Sequence, residues 1–184
     1  GANRIITIID AGIGNPKSIS NMLNYLGISS TIMQKPSNSM SQSHLILPGV
    51  GSFDAGIQRL KRSGWHSYIK DSHTNINILG ICLGMHLLTR GSDEGNLPGL
   101  EIVPAFCRKF DVSKCNVPHI GWNTVTPIYD NPLIGLDAGE KKFYFSHSYY
   151  VVPDQISTLT MQTKYSNTFC SGVSLGNVHG VQFH

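Results

Sequence analysis

Residues Ile76–Thr89 read INILGICLGMHLLT. An apolar run, Ile76 to Ile81, meets Gly80, Cys82 and Gly84, and helix formers follow. This order predicts a buried strand turning sharply into a helix with a thiol on the turn, the nucleophile-elbow arrangement. Glycine on each side removes side-chain bulk, so the backbone can take a strained turn and the thiol can stand exposed. The helix N-terminus sets free N–H groups and a positive dipole end beside the sulfur, which predicts a site favouring thiolate. Gly-x-Cys-x-Gly is short, and alone it leaves a buried, inert strand-end cysteine equally open.

The segments before this turn repeat the strand-to-helix theme. Arg4 to Asp10 (RIITIID) is a β-branched run of the kind buried on both faces. A Gly-rich turn, Ala11 to Asn15, follows, and Asn15-Pro16 reads as N-cap and first helical residue. Ile19, Met22, Leu23 and Leu26 fall on one helical face, and Gly27 supplies the stop. Ser30 to Met33 reads as a second strand, Pro36 to Ser43 as polar loop, and His44 to Leu47 as a third strand ending in Pro48-Gly49-Val50-Gly51. Phe53, Ile57 and Leu60 mark the next helix. The fold predicted is α/β: an open, mostly parallel, flavodoxin-like sheet with helices on both faces. In such sheets the site lies beyond the strand C-termini, where the turns after Leu47 and Ile81 fall. The second half carries shorter segments: Leu100–Pro104, Ala105–Phe110, Phe143–Phe145, Thr158–Gln162, Cys170–Ser174 and Val178–Phe183. These read as antiparallel additions on one sheet edge.

Length and composition narrow the class. At 184 residues, the chain is read as a single domain spanning 1–184 with a substantial core. The net charge is +3, and basic residues do not cluster beyond pairs such as Lys61–Arg62 and Lys141–Lys142, so neither nucleic acid nor an anionic membrane is an expected partner. Cys82, Cys107, Cys115 and Cys170 form no Cys-x-x-Cys pair and no zinc spacing, so neither metal nor cofactor is expected. Free thiols and the lack of a signal peptide or membrane-length apolar run suggest a cytoplasmic protein.

A cysteine nucleophile needs a base, which often comes from elsewhere in the chain. His184 follows Gly180-Val181-Gln182-Phe183, read as a strand with Val181 and Phe183 inward, Gln182 outward and His184 at its mouth; a frayed terminal residue is the alternative. Acyl transfer also needs oxyanion donors. The Leu83 N–H beside the nucleophile is one candidate, and the Gly49–Val50–Gly51 turn could supply another, because glycines let a peptide plane point its N–H into a site. An ordinary tight turn would have the same sequence.

Five segments in order carry a family resemblance: Pro48-Gly49-Val50-Gly51-Ser52-Phe53, Gly80-Ile81-Cys82-Leu83-Gly84-Met85, Pro118-His119-Ile120-Gly121-Trp122-Asn123, Phe145-Ser146-His147-Ser148-Tyr149 and Gly180-Val181-Gln182-Phe183-His184. The chain resembles the class I (triad) glutamine amidotransferases, and among them the glutaminase subunits of imidazole glycerol phosphate synthases. The resemblance implies that Cys82 attacks the side-chain amide of L-glutamine and that His184 moves the proton. Leu83 and the Gly49–Val50–Gly51 turn would hold the oxyanion, after that turn flips a peptide. Glu94 and the His147-Ser148-Tyr149 segment would hold glutamine's α-amino and α-carboxylate groups, and a carboxylate suits an ammonium group. The implied partner is a (β/α)8-barrel cyclase in a heterodimer that receives the ammonia for histidine biosynthesis. Asn15, His119, Trp122 and Asn123 would lie at that interface, although Trp122 could equally be a core aromatic and His119 a hydrogen-bonded loop histidine.

Departures from the pattern are part of the reading. The family elbow ends in Gly-Met-Gln, and here His86 takes the Gln position, four residues after Cys82 on the same helical face. An imidazole donates fewer hydrogen bonds than an amide, so weaker glutamine binding is expected. The elbow aims its thiol away from its own helix, which argues against His86 as the base. Ala11 and Pro16 stand where the family has Tyr and Leu. The family continues beyond the histidine with Pro-Glu, the Glu orienting the imidazole, and with a helix; the 184 residues are read as lacking that tail. Phe53-Asp54-x-Gly56 and Glu94-Gly95-Asn96-Leu97 lean toward a branch that feeds sugar amination in surface-polysaccharide synthesis. A catalytically silent scaffold subunit is the alternative from another class.

Overall fold

The computed structural model describes residues 5–37, 44–129, 133, 135 and 139–184. The β-branched opening run becomes β1 (Ile6–Ile9). Asn15 accepts the Ser18 N–H at 3.1 Å and caps α1 (Pro16–Tyr25), and Gly27 follows in the left-handed region at φ 76°. β2 (Ser30–Met33) and β3 (His44–Gly49) then pair parallel on either side of β1. Residues 38–43 of the expected polar loop, and Arg4, lie outside the described residues.

α2 (Phe53–Ser63) buries Phe53, Gly56, Ile57 and Leu60, the face its spacing predicts. Gly64, at φ 87°, ends α2 and immediately starts α3 (Trp65–Ser72), a helix the sequence reading did not anticipate. Trp65 is fully buried there and donates its indole N–H to the Gln34 carbonyl at 3.0 Å. β4 (Asn77–Cys82) pairs parallel with β3 and runs straight into α4 (Leu83–Leu87).

Leu100–Pro104, expected to form an extended segment, is instead irregular chain. Its N–H groups serve the carbonyls at the end of α4: Leu100 donates to Leu87 at 2.8 Å and Val103 to Leu88 at 2.9 Å. This satisfies acceptors that a short buried helix would otherwise leave unpaired.

The second half supplies β5 (Ala105–Lys109), β6 (His119–Pro127), β7 (Lys141–His147), β8 (Tyr149–Pro153), β9 (Leu159–Tyr165), β10 (Asn167–Leu175) and β11 (Val178–Val181). β6 and β8 were not read from the sequence as strands. The sheet runs β2-β1-β3-β4-β11-β10-β9-β6-β7, with β8 pairing β10 and β5. β2 through β11 in that order are parallel, and β10 begins the antiparallel addition. This is the open parallel sheet with antiparallel edge strands that the chain pattern predicts, with one correction: β11, expected among the antiparallel edge additions, lies parallel to β4 inside the sheet, because the tight turn from antiparallel β10 reverses the chain back into the direction of the core strands.

One expectation about packing fails. No residue of α1 is buried, and Met22 and Leu26 are mostly exposed, so only part of the predicted apolar face is covered.

Candidate active site

β3 and β4 lie in register, Leu47 opposite Gly80 and Gly49 opposite Cys82, so both special turns leave the sheet side by side at its C-terminal edge. Cys82 sits at φ 55°, ψ −114°, a conformation that costs a side-chain-bearing residue energy and that marks the strained elbow. The glycines there are steric necessities. A Cβ on Gly84 would lie 1.8 Å from the Leu47 carbonyl oxygen, and one on Gly80 would lie 2.8 Å from the Gly84 backbone. Strand and helix therefore approach closely enough to hold the thiol at one point.

A cavity of about 370 Å³ opens over the elbow. Cys82, Leu83 and His86 line it from the turn and α4, Val50 and Gly51 from the loop after β3, and Glu94 from the loop before β5. Ser146, His147, Ser148 and Tyr149 line it from β7 and β8, and His184 from the segment after β11. The structure thus gathers both members of the expected Cys–His pair, the expected oxyanion segments and the expected glutamine-binding residues around one space. His184 is not a frayed end: its backbone N–H donates to the Tyr144 carbonyl at 3.0 Å.

The thiol's own contacts differ from the expectation in two respects. Its polar neighbours are the Ser146 carbonyl at 3.9 Å, the Gln182 side-chain nitrogen at 3.7 Å and the Leu83 N–H. Burial pushes the Cys82 thiol above the ordinary thiol range, and the Leu83 and Gln182 hydrogen bonds only partly oppose this. The expected thiolate-favouring site is therefore corrected: desolvation outweighs the end of a five-residue helix, and the resting group is a thiol. Burial also lowers the pKa of His184, so its imidazole is neutral at pH 7 and able to take a proton.

The second correction concerns Gln182, expected to point outward. It is completely buried. β11 is an interior strand, and the face carrying Gly180 and Gln182 lies under α4; a Cβ on Gly180 would meet Met85 at 2.5 Å. Gln182 accepts a hydrogen bond from His86 at 2.7 Å. The period-2 reading assigns only one covered face, whereas both faces are covered here, and no signal in the sequence marks that.

Glu94 lines the cavity and accepts the Phe53 N–H at the start of α2, where Ser52 provides no side-chain cap. Asp54 grips the same loop from the other side, accepting from the Asn96 N–H at 2.9 Å and the Leu97 N–H at 3.0 Å. A Cβ on Gly95 would lie 2.1 Å from the Asp54 carboxylate. The Phe53-Asp54 and Glu94–Leu97 motifs are thus two halves of one clamp that sets Glu94 at the cavity.

His147 is committed at both ring nitrogens. Its Nδ1 donates to the Tyr149 carbonyl at 2.8 Å, so its Nε2 accepts from His119 Nδ1 at 2.9 Å. His119 Nε2 then accepts from the Asn123 amide at 3.1 Å, and the same amide nitrogen donates to the Lys164 carbonyl at 3.0 Å. Burial drives the His147 pKa down to about 3, against the help of the Tyr149 carbonyl, and lowers that of His119 as well. Both imidazoles are neutral and act as oriented struts beneath the cavity wall. His119, expected on the partner surface, is 3% exposed and packs on Tyr165 at 4.0 Å between ring centroids. Trp122 is 72% exposed and Ile120 60%, so they and Asn15, not His119, offer surface near the site.

At the oxyanion turn, the Val50 N–H donates to the Ile13 carbonyl, and Gly51 sits at φ 104°. The Val50 donor is therefore occupied, while Leu83 N–H lies beside the sulfur. Among the described residues no group of three His, Cys, Asp or Glu side chains could hold a metal ion, and all four cysteines are free thiols. Among the described residues no helix is long and apolar enough to cross a membrane.

The open α/β sheet, the strained Cys82 elbow and a neutral His184 lining the same cavity form the arrangement expected of a thiol acyl-transfer site, and the chain belongs to the class-I glutamine amidotransferases, whose family model matches residues 7–184. It is 44% identical over 183 residues to imidazole glycerol phosphate synthase subunit HisH 2 of Methanococcus maripaludis, covering 98% of this chain and 91% of that protein. It is 37% identical over 188 residues to the chloroplastic imidazole glycerol phosphate synthase hisHF of Arabidopsis thaliana, covering all of this chain and 32% of that protein. A crystal structure of a glutamine amidotransferase shares the fold, with a TM-score of 0.76 at 15% identity over 97% of this chain and 89% of that one.

Proposed function

We propose that this chain is the glutaminase subunit of an imidazole glycerol phosphate synthase. The observation that carries the chemistry is Cys82, held on a strained elbow in a cavity it shares with a neutral His184. The names of the two relatives favour histidine biosynthesis over the sugar-amination branch.

Glutamine enters with its α-amino group toward Glu94 and its backbone end along the His147-Ser148-Tyr149 segment. Cys82 Sγ attacks the side-chain carbonyl carbon while its proton passes to His184. The carbonyl oxygen becomes an oxyanion facing the Leu83 N–H. A second donor comes from the Gly49–Val50–Gly51 turn once the Val50 N–H releases the Ile13 carbonyl, so that turn limits the rate until it moves. His184 returns the proton to nitrogen, ammonia leaves and a γ-glutamyl thioester remains. Water, deprotonated by His184, attacks the thioester and releases glutamate and the thiol. No cofactor takes part in these steps.

Ammonia passes to a (β/α)8-barrel cyclase docked over the site mouth as a heterodimer, with Trp122, Asn15 and the neighbouring Ile120 on the contact surface. Asn123, half-buried, acts from below by holding His119. The Arabidopsis relative, in which the matching region is about a third of the whole, supports such an arrangement by carrying much more of a synthase on one chain. The setting proposed is cytoplasmic, in keeping with four free thiols.

Acid quenching during turnover, followed by peptide mass spectrometry, tests the chemistry. A γ-glutamyl group on the Cys82 peptide is the expected result. Glutamate formation with no acylated Cys82 at any quench time would contradict it.

A further inference from the structure

Gln182 and His86 have no part in the mechanism above, yet together they make the most buried polar contact to the nucleophile. His86 Nε2 lies 2.7 Å from the Gln182 amide oxygen. An amide oxygen can only accept, so His86 carries its proton on Nε2. That bond fixes the amide's orientation and turns its NH2 group toward Cys82 Sγ, 3.7 Å away. The Gln182 backbone N–H is held by the Ser171 carbonyl at 3.0 Å, and its side chain has no exposure to water.

We propose that His86 and Gln182 form a positioning relay for the nucleophile, in which the imidazole orients the amide and the amide N–H stabilises the sulfur anion as it forms. The proposal rests on Cys82 being the nucleophile of the reading above. When the thiol loses its proton to His184, the amide donor is already in place, so the charge need not wait for solvent to reorganise. An imidazole at position 86 serves the same end as an amide would, because either offers an N–H to the Gln182 oxygen. His86 is thus a support for the thiol, where the sequence alone suggested a weakened glutamine ligand. Other titratable groups facing the cavity are Glu94, His147, Tyr149 and His184, and they are unchanged in every variant used to test the idea.

The test is the pH profile of Cys82 alkylation by iodoacetamide, measured without glutamine, in a Cys115→Ser background. Cys107 and Cys170 are buried thiols with pKa values pushed up to about 12, and they stay silent. Gln182→Met keeps the volume and removes the donor, and His86→Leu removes the orienting N–H. Each should move the profile to higher pH, slowing alkylation at pH 8 by roughly three- to tenfold while the high-pH plateau is retained. His86→Gln should return the profile toward that of the parent. A uniform loss of rate at all pH values means altered access and overturns the proposal, as does an unmoved profile in both donor-removing variants. If one variant does not fold, as judged by thermal unfolding, the other and the His86→Gln rescue decide the matter. Glutaminase assays of Cys82→Ala separate the two claims: persistent glutamate release refutes the nucleophile's role, whatever the alkylation profiles show.

Discussion

Burial of histidines is the site's main electrostatic feature, and His147 shows it most strongly. Its folded pKa of about 3 lies far below the 6.5 of an unperturbed histidine. Between these values the unfolded chain binds a proton that the folded chain refuses. Stability is therefore fully present above pH 6.5 and falls as pH drops toward 3, by about 1.4 kcal/mol per pH unit from this one group. Urea unfolding between pH 7.5 and 5 should show that acid-side loss, and His147→Gln should make it shallower by one proton's share, the rest coming from other histidines that burial shifts down, among them His86, His119 and His184. A wild-type profile as flat as the variant's would contradict the buried neutral assignment. The thiol teaches a related lesson. The spacing Gly80-Cys82-Gly84 sets Cys82 on the turn, but its protonation state depends on burial by β7 and by the segment after β11, which no local pattern reports.

The elbow is an element held by close backbone approach. A methyl group on Gly84 would penetrate the Leu47 carbonyl, so β3 and α4 cannot both keep their places. Gly84→Ala is expected to destabilise the fold by about 3 kcal/mol or more, read as a lowered thermal midpoint together with loss of hydrolysis. A variant with native stability and activity would show that the approach is looser than described. β1, β3 and β4 were legible because they are largely apolar runs separated by turn residues, whereas β11 is legible as a strand but its parallel place beside β4 depends on where the chain returns, which its own residues do not report. α3 was not, because Gly64 reads as a stop and only its left-handed geometry lets a second helix begin at the same residue. β6 and β8 were missed because their exposed and buried positions mix polar and aromatic side chains, which blurs the alternation. Gln182 was misplaced because a strand in the interior of the sheet has no outward side.

At the scale of the whole molecule, the C-terminal edge of the sheet carries the Cys82 cavity, with exposed apolar surface beside it. Trp122 packs edge-on against Tyr144, at 5.9 Å between ring centroids, and remains mostly open to water. A large aromatic in that position suits an interface anchor. Trp122→Ala should weaken association with the proposed barrel partner by about tenfold or more, measured by titration, and leave the unfolding midpoint of the isolated chain nearly unchanged. The ordered motifs made the family and the cavity's membership legible. The tautomers, the occupied Val50 donor and the Gln182 contact emerged only once distant segments were brought together. The central claim is that Cys82 cleaves glutamine for a partner's use. It is tested most directly by assaying the complex with Cys82→Ala, following glutamate release and, separately, product formation from added ammonium. Glutamate release should vanish while ammonium still drives the partner; continued glutamate release from the variant would contradict the claim.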